Sequence, residues 1–237
     1  MTRVAVFDLD GTLADTAADL IAAANAALIE LGFHGTLDAG DGAGADRATA
    51  FAGGRAMLRA GLTRQGVAEP EDLVERGFPM LLAHYEAGIA ERTRLYPGVE
   101  AALDLLAVRG WSLAICTNKP VLLADLLLVR LGVRERFAAV LGADSLSVRK
   151  PDPLHLTETV VRAGGTPDRA VLVGDTVTDR DAARAARIPC VLVAFGPEGR
   201  GIARLDPAGL IDDYAELPPL LERLVPAFRG GRMKRAE

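Results

Sequence analysis

Five short apolar runs, each closed by turn-forming or acidic residues, constrain this chain more than any other feature. Val4 to Phe7 stops at Asp8, and Trp111 to Cys116 stops at Thr117-Asn118. Ala138 to Leu141 stops at Gly142-Ala143-Asp144, Ala170 to Val173 at Gly174-Asp175, and Cys190 to Phe195 at Gly196. Apolar runs of this length without polar alternation suit strands buried on both faces of a parallel sheet. Helical patterns fill the gaps: Val99 to Val108, Pro120 to Leu131 before Gly132, Pro153 to Ala163 before Gly164-Gly165, and Asp179 to Arg187 before Pro189. Proline at the start and glycine past the end are helix punctuation. Alternating strands and helices predict an α/β fold, a doubly wound parallel sheet with a Rossmann-like core. Such sheets bind ligands at the carboxyl ends of their strands, where these polar residues fall.

One segment breaks the alternation. Between Asp15 and about Arg94 no convincing strand is legible, while Ala17 to Leu31, Thr49 to Leu62 and Asp72 to Ala90 read as helices, the last perturbed by Pro79. An all-helical insertion of this length suffices for a small separate domain. The expected organisation is a catalytic core of residues 1–14 and 95–228, a helical cap of 15–94 and a flexible tail of 229–237. Gly40-Asp41-Gly42-Ala43-Gly44 is expected to be a plain loop. It neither follows a strand nor opens a helix, as an anion-binding glycine loop does.

Charge narrows the functions. With 27 basic and 32 acidic side chains the net charge is −5, which argues against a nucleic-acid partner. Arg229, Arg232, Lys234 and Arg235 read as a solvated terminus. Only Lys119, Lys150 and Lys234 are lysines, so those positions stand out in an arginine-rich chain. Cys116 and Cys190 form no CxxC pair, and no apolar stretch is long enough to span a bilayer. No membrane association and a cytoplasmic location are expected.

The chemistry concentrates at the strand ends. Asp8-Leu9-Asp10-Gly11-Thr12 sets two carboxylates close together, where they repel unless a cation joins them. A turn with an aspartate helix cap is the competing reading. Thr117-Asn118-Lys119-Pro120 brings a hydroxyl and an amide to a helix N-terminus, either an anion site or a simple cap. Lys150-Pro151-Asp152-Pro153 offers a lysine on a backbone stiffened by prolines, or only a surface lysine. Gly174-Asp175-Thr176-Val177-Thr178-Asp179 adds two further carboxylates. Four carboxylates without histidine select Mg²⁺ over zinc. His34, His84 and His155 lack ligand spacing and are expected to be structural or surface residues.

Taken in order, these motifs resemble the haloacid dehalogenase superfamily, in its phosphatase branch with a helical cap. Asp10-Gly11-Thr12-Leu13-Ala14-Asp15-Thr16, Tyr96-Pro97-Gly98-Val99 and Thr117-Asn118-Lys119-Pro120 are similar to bacterial phosphoglycolate phosphatases. The resemblance implies Asp8 as nucleophile, Asp10 as acid and base, Thr117 as phosphoryl holder and Lys150 as neutralising charge. It implies Mg²⁺ held by Asp8, the Asp10 carbonyl, Asp175 and Asp179, directly or through water. Gly11, Thr12 and Asn118 are expected to contact substrate. Arg55, in the loosely matching Ala50-Phe51-Ala52-Gly53-Gly54-Arg55, is a candidate for a substrate carboxylate or a plain surface arginine. Arg187 stands where the family often has a helix-ending glycine. The expected partner is a small phosphorylated metabolite, 2-phosphoglycolate first, bound by a monomer or homodimer. A phosphomutase acting on a sugar phosphate and a non-catalytic phosphate-binding relative are the alternatives. Dehalogenation does not need Asp10, Asp175 and Asp179, and a Schiff-base phosphonate hydrolase needs a cap lysine that this sequence lacks.

Overall fold

The computed structural model describes residues 2–40, 46–196 and 198–227. The glycine-rich expectation at 41–44 and the tail at 229–237 lie outside the described residues. Six strands form one parallel sheet: β1 (Thr2–Phe7), β4 (Trp111–Cys116), β5 (Ala139–Leu141), β6 (Gly165–Gly174), β7 (Cys190–Val193) and β8 (Gly209–Ile211). Their spatial order is β5-β4-β1-β6-β7-β8. The chain builds outward from β1 to one edge, returns, and builds outward to the other. The strand order therefore reverses beside β1, which opens a crevice at its carboxyl end.

Alternation of side chains along β1 assigns the two faces. Ala5 and Phe7 pack with α5 (Val99–Val108), α6 (Val121–Arg130) and α9 (Leu217–Leu224). Val4 and Val6 pack with α7 (Pro153–Arg162) and α8 (Val177–Ala186) on the other face. Every one of these four strand residues is fully buried, as continuous apolar runs require.

The helical insertion comprises α1 (Ala17–Glu30), α2 (Arg47–Phe51), α3 (Gly54–Arg64) and α4 (Glu71–Ala87). Leu28, Met57, Leu58 and Leu81 join its helices within the same apolar cluster that carries Ala5 and Phe7. Each such buried side chain is worth about 1.5–3 kcal/mol. Two features depart from the sequence expectations. The helix expected over 49–62 is two helices, broken at Gly53, whose φ of +101° suits glycine alone. Two very short strands, β2 (Ala14–Asp15) and β3 (Arg94–Leu95), pair antiparallel where the chain enters and leaves the insertion. Two-residue strands carry no periodicity, so sequence patterning passes over them. No described helix is long and apolar enough to cross a membrane.

Candidate active site

The carboxyl end of β1 is held by its neighbours. The Asp8 amide donates to the Val173 carbonyl at 2.9 Å, which carries the sheet register one residue past the strand. The chain then turns at Gly11, with φ at +81°. A Cβ on Gly11 would lie 2.3 Å from Asp175 Oδ2, so glycine is needed for space as well as for conformation. Thr12, fully buried, donates its hydroxyl to Asp175 Oδ1 at 2.7 Å. The Tyr214 hydroxyl donates to the Thr12 carbonyl at 2.8 Å and anchors the turn from a position that sequence spacing does not reveal. Asp10 faces differently from Asp8. Its Oδ1 accepts from Thr16 Oγ1 at 2.7 Å and from Lys119 Nζ at 2.8 Å.

The other strand ends converge on these aspartates. After β4, the Thr117 amide donates to the Leu141 carbonyl, and Thr117 Oγ1 accepts from the Lys119 amide at 3.2 Å. Asn118 Nδ2 donates to the Lys150 carbonyl at 3.0 Å and ties that loop to the next one. Lys150 Nζ lies 2.9 Å from Asp8 and 2.7 Å from Asp179, with its side chain almost wholly buried. Asp179 also closes the N-terminus of α8: its Oδ2 accepts from the Thr176 amide at 3.1 Å and from Thr176 Oγ1 at 2.6 Å, while Thr176 Oγ1 accepts from the Asp179 amide at 3.3 Å. This reciprocal capping box fixes the carboxylate that faces Lys150.

Asp8, Asp175 and Asp179 each place a carboxylate oxygen within 4.8 Å of the others. Burial pushes the Asp8 carboxyl up to about 6 against the opposing pull of Lys150. Burial and the Asp8 charge push Asp175 well above the ordinary carboxylate range. Burial alone would lower the Lys150 ammonium, but Asp179 and Asp8 hold it above its usual value. Asp175 Oδ2 is buried without a hydrogen-bond partner. An orphaned oxygen among repelling carboxylates fits a divalent cation, and an all-oxygen donor set fits a hard one.

A cavity of about 430 Å³ opens over this cluster. Asp8, Asp10, Thr117, Asn118, Lys150 and Asp175 line its floor. Phe51, Phe78, Leu81 and Tyr85 of the insertion form a largely apolar roof. Gly11 and Thr12 lie behind Asp175 rather than on the cavity wall, so they shape the turn and orient that carboxylate. Arg55 is also off the wall. Its guanidinium meets Glu75 with two hydrogen bonds, at 2.7 and 2.9 Å, and stacks 3.7 Å from the Phe78 ring centroid. The carboxylate it engages is therefore the protein's own. The motif reading placed neither Thr16 nor Lys119 on Asp10: Thr16 reaches it from the next turn of the chain, and long-range packing brings Lys119 to it and the Tyr85 ring to Lys119.

Carboxylates, a buried lysine and a hydroxyl at the switch of a doubly wound sheet, under a helical roof, make a site suited to a hard cation and an anionic substrate. The family of haloacid dehalogenase-like hydrolases matches residues 2–187, and the chain belongs to it. Phosphoglycolate phosphatases of Agrobacterium fabrum and Mesorhizobium japonicum are 37% and 42% identical to it. These matches cover 95% and 94% of this chain and 95% and 97% of the relatives. Among solved structures, CbbY from Rhodobacter sphaeroides in complex with xylulose-(1,5)bisphosphate superposes with a TM-score of 0.71 at 25% identity, covering 92% of this chain and 97% of that one. A hydrolase from Pseudomonas syringae shares the fold with a TM-score of 0.73 at 23% identity, covering 94% and 99%. Family, fold and aspartate cluster together make the chain a phosphatase, a phosphoric monoester hydrolase.

Proposed function

We propose that the chain hydrolyses 2-phosphoglycolate through an aspartyl-phosphate on Asp8, with Mg²⁺ as its cation. The observation that carries this reading is the position of Lys150 Nζ, shared between Asp8 and Asp179 beside the unpartnered Asp175 oxygen. That arrangement leaves one carboxylate at the cavity floor for attack and fixed charge around it. Asp8, Asp175, Asp179 and the Asp10 carbonyl would hold the cation. When bound, it supplies positive charge to the nucleophile and to the phosphoryl oxygens.

The chain's own groups account for the proton transfers. The Asp8 carboxylate attacks phosphorus, forming an O–P bond as the ester O–P bond breaks. Asp10 gives its proton to the departing alkoxide, and then takes a proton from the water that cleaves the aspartyl-phosphate. Thr117 Oγ1 accepts from the Lys119 amide, so its own hydrogen is available to a phosphoryl oxygen. The apolar roof limits bulk water while the first bond is exchanged. A cytoplasmic setting and a freely diffusing metabolite go with this reading.

The test is phosphate release from a panel of monoesters with Mg²⁺, ranked by kcat/KM. 2-Phosphoglycolate is expected at the head of the panel. No release from any ester, p-nitrophenyl phosphate included, would refute the reading.

A further inference from the structure

The proposed substrate carries a second anion, and Arg55 is not placed to meet it. Among the described residues lining the cavity, the cationic side chains are Lys119 and Lys150. Lys150 is committed to two carboxylates. Lys119 faces one, Asp10, with one of its three donors. The Lys119 ammonium sits 4.3 Å from the centroid of the Tyr85 ring, which α4 brings down from the roof. Tyr85 is 1% exposed and lies on the cavity wall, and its buried hydroxyl has only the Lys119 ammonium, itself a donor, close to it, so the phenolic hydrogen has no acceptor. Buried phenols ordinarily find an acceptor, so a phenolic hydrogen without one in a cavity wall points to a ligand.

We infer that Lys119 and Tyr85 form the subsite for the substrate's second anionic group, the carboxylate of a phosphorylated hydroxy acid. The inference rests on the phosphatase reading above and deepens it. Asp10 must reach the ester oxygen to protonate it. In 2-phosphoglycolate a single methylene separates that oxygen from the carboxylate carbon. An ammonium hydrogen-bonded to Asp10 is therefore placed where that carboxylate falls. Lys119 supplies the charge, and Tyr85 donates its hydroxyl hydrogen to the same group. Because Tyr85 belongs to the insertion and Lys119 to the sheet, the substrate's carboxylate links the two halves of the cavity.

The experiment compares 2-phosphoglycolate with ethyl phosphate, which lacks the carboxylate, in the wild type and in Lys119→Met, Lys119→Gln and Tyr85→Phe, all with Mg²⁺. Loss of a hydrogen bond to a charged group predicts a fall of about ten- to a hundredfold in kcat/KM for 2-phosphoglycolate in Lys119→Met, carried mainly by KM. The fall on ethyl phosphate is expected to be several times smaller. Tyr85→Phe should show the same selectivity at lower amplitude. Lys119→Gln retains a donor for Asp10 and so isolates the charge, and it serves if Lys119→Met does not fold. Equal losses on both esters would assign Lys119 to Asp10 alone and overturn the subsite. A wild type that hydrolyses esters without preferring 2-phosphoglycolate over ethyl phosphate would instead overturn the substrate. Other ester pairs differing by one anionic group then decide: the subsite stands if any pair's preference shrinks in Lys119→Gln, and falls if none does.

Discussion

At the scale of single residues, the site depends on small groups kept in crowded places. Asp175 is oriented by Thr12 and grazes the space that a side chain on Gly11 would need. Gly11→Ala is therefore expected to displace Asp175 and strain a left-handed backbone. The cost should be about 1–2 kcal/mol in stability from the backbone alone. It should also bring a marked rise in the Mg²⁺ concentration giving half-maximal rate, read from metal titrations of activity. Unchanged metal dependence would count against Asp175 as a ligand. Asp8→Asn removes the nucleophile's charge and one of the partners of Lys150. Turnover should fall to background while circular dichroism stays that of the wild type, and residual wild-type rates would defeat the assignment. The aspartates were legible because turn formers follow buried runs. Lys119 was visible as a scarce residue, but its bond to Asp10 spans the whole first half of the chain and leaves no local pattern. Between the two readings of Arg55 the sequence could not choose for the same reason: Glu75, which takes its guanidinium, lies on the next helix.

At the scale of elements, α8 shows both ends of a helix under functional load. Its start is the capping box that holds Asp179, so Thr176→Ala should cost about 0.5–2 kcal/mol, measured as a shift in urea midpoint, and should slow turnover too. A stability loss with full activity would mean that Lys150 alone fixes Asp179. Its end is Arg187, which adopts φ of +57° and ψ of +34°, a left-handed conformation normally left to glycine. Arg187→Gly should raise stability by about 1 kcal/mol in the same assay with no effect on rate. The departure from the family glycine was readable in the sequence, and its backbone consequence lies at the helix end, away from the catalytic groups. The break at Gly53 was less readable, since the apolar spacing on either side continues as if one helix ran through. The chain breaks where Gly53 takes φ of +101°, and Gly54 beside it packs under Phe78, whose ring would come within 2.9 Å of a Cβ there.

At the scale of the whole molecule, the aspartate cluster couples stability to pH and metal. Asp8 is raised to about 6 and Asp175 is raised in the same direction, both chiefly by burial. A raised carboxyl contributes its stability fully below the ordinary carboxylate range and loses it as pH rises through the folded value. Without metal, the melting temperature should therefore fall as pH rises from about 4 through about 6, the range set by Asp8, with Asp175 acting in the same direction. A divalent cation binds the folded state and should restore it, with a larger gain at pH 8 than at pH 5.5. Thermal melts in chelator and in Mg²⁺ at both pH values check this, and a metal-free melt that climbs with pH would contradict it. The opposite influence comes from Asp46, lowered chiefly by its hydrogen bonds from Arg64, and it acts only as pH falls through the acidic side.

The smallest sheet in the molecule has the widest consequence. Asp15 and Arg94 are direct partners in the β2–β3 ribbon, so the chain leaves for the insertion and returns from it at adjacent positions. In topological terms the four helices are the loop of a β-hairpin. A hairpin sets no upper limit on its loop, since closure entropy grows only slowly with length. The roof of the cavity is thus a replaceable part on a fixed base. A lineage, or an engineer, can exchange what the enzyme recognises between Asp15 and Arg94 while the sheet that performs the chemistry keeps its register.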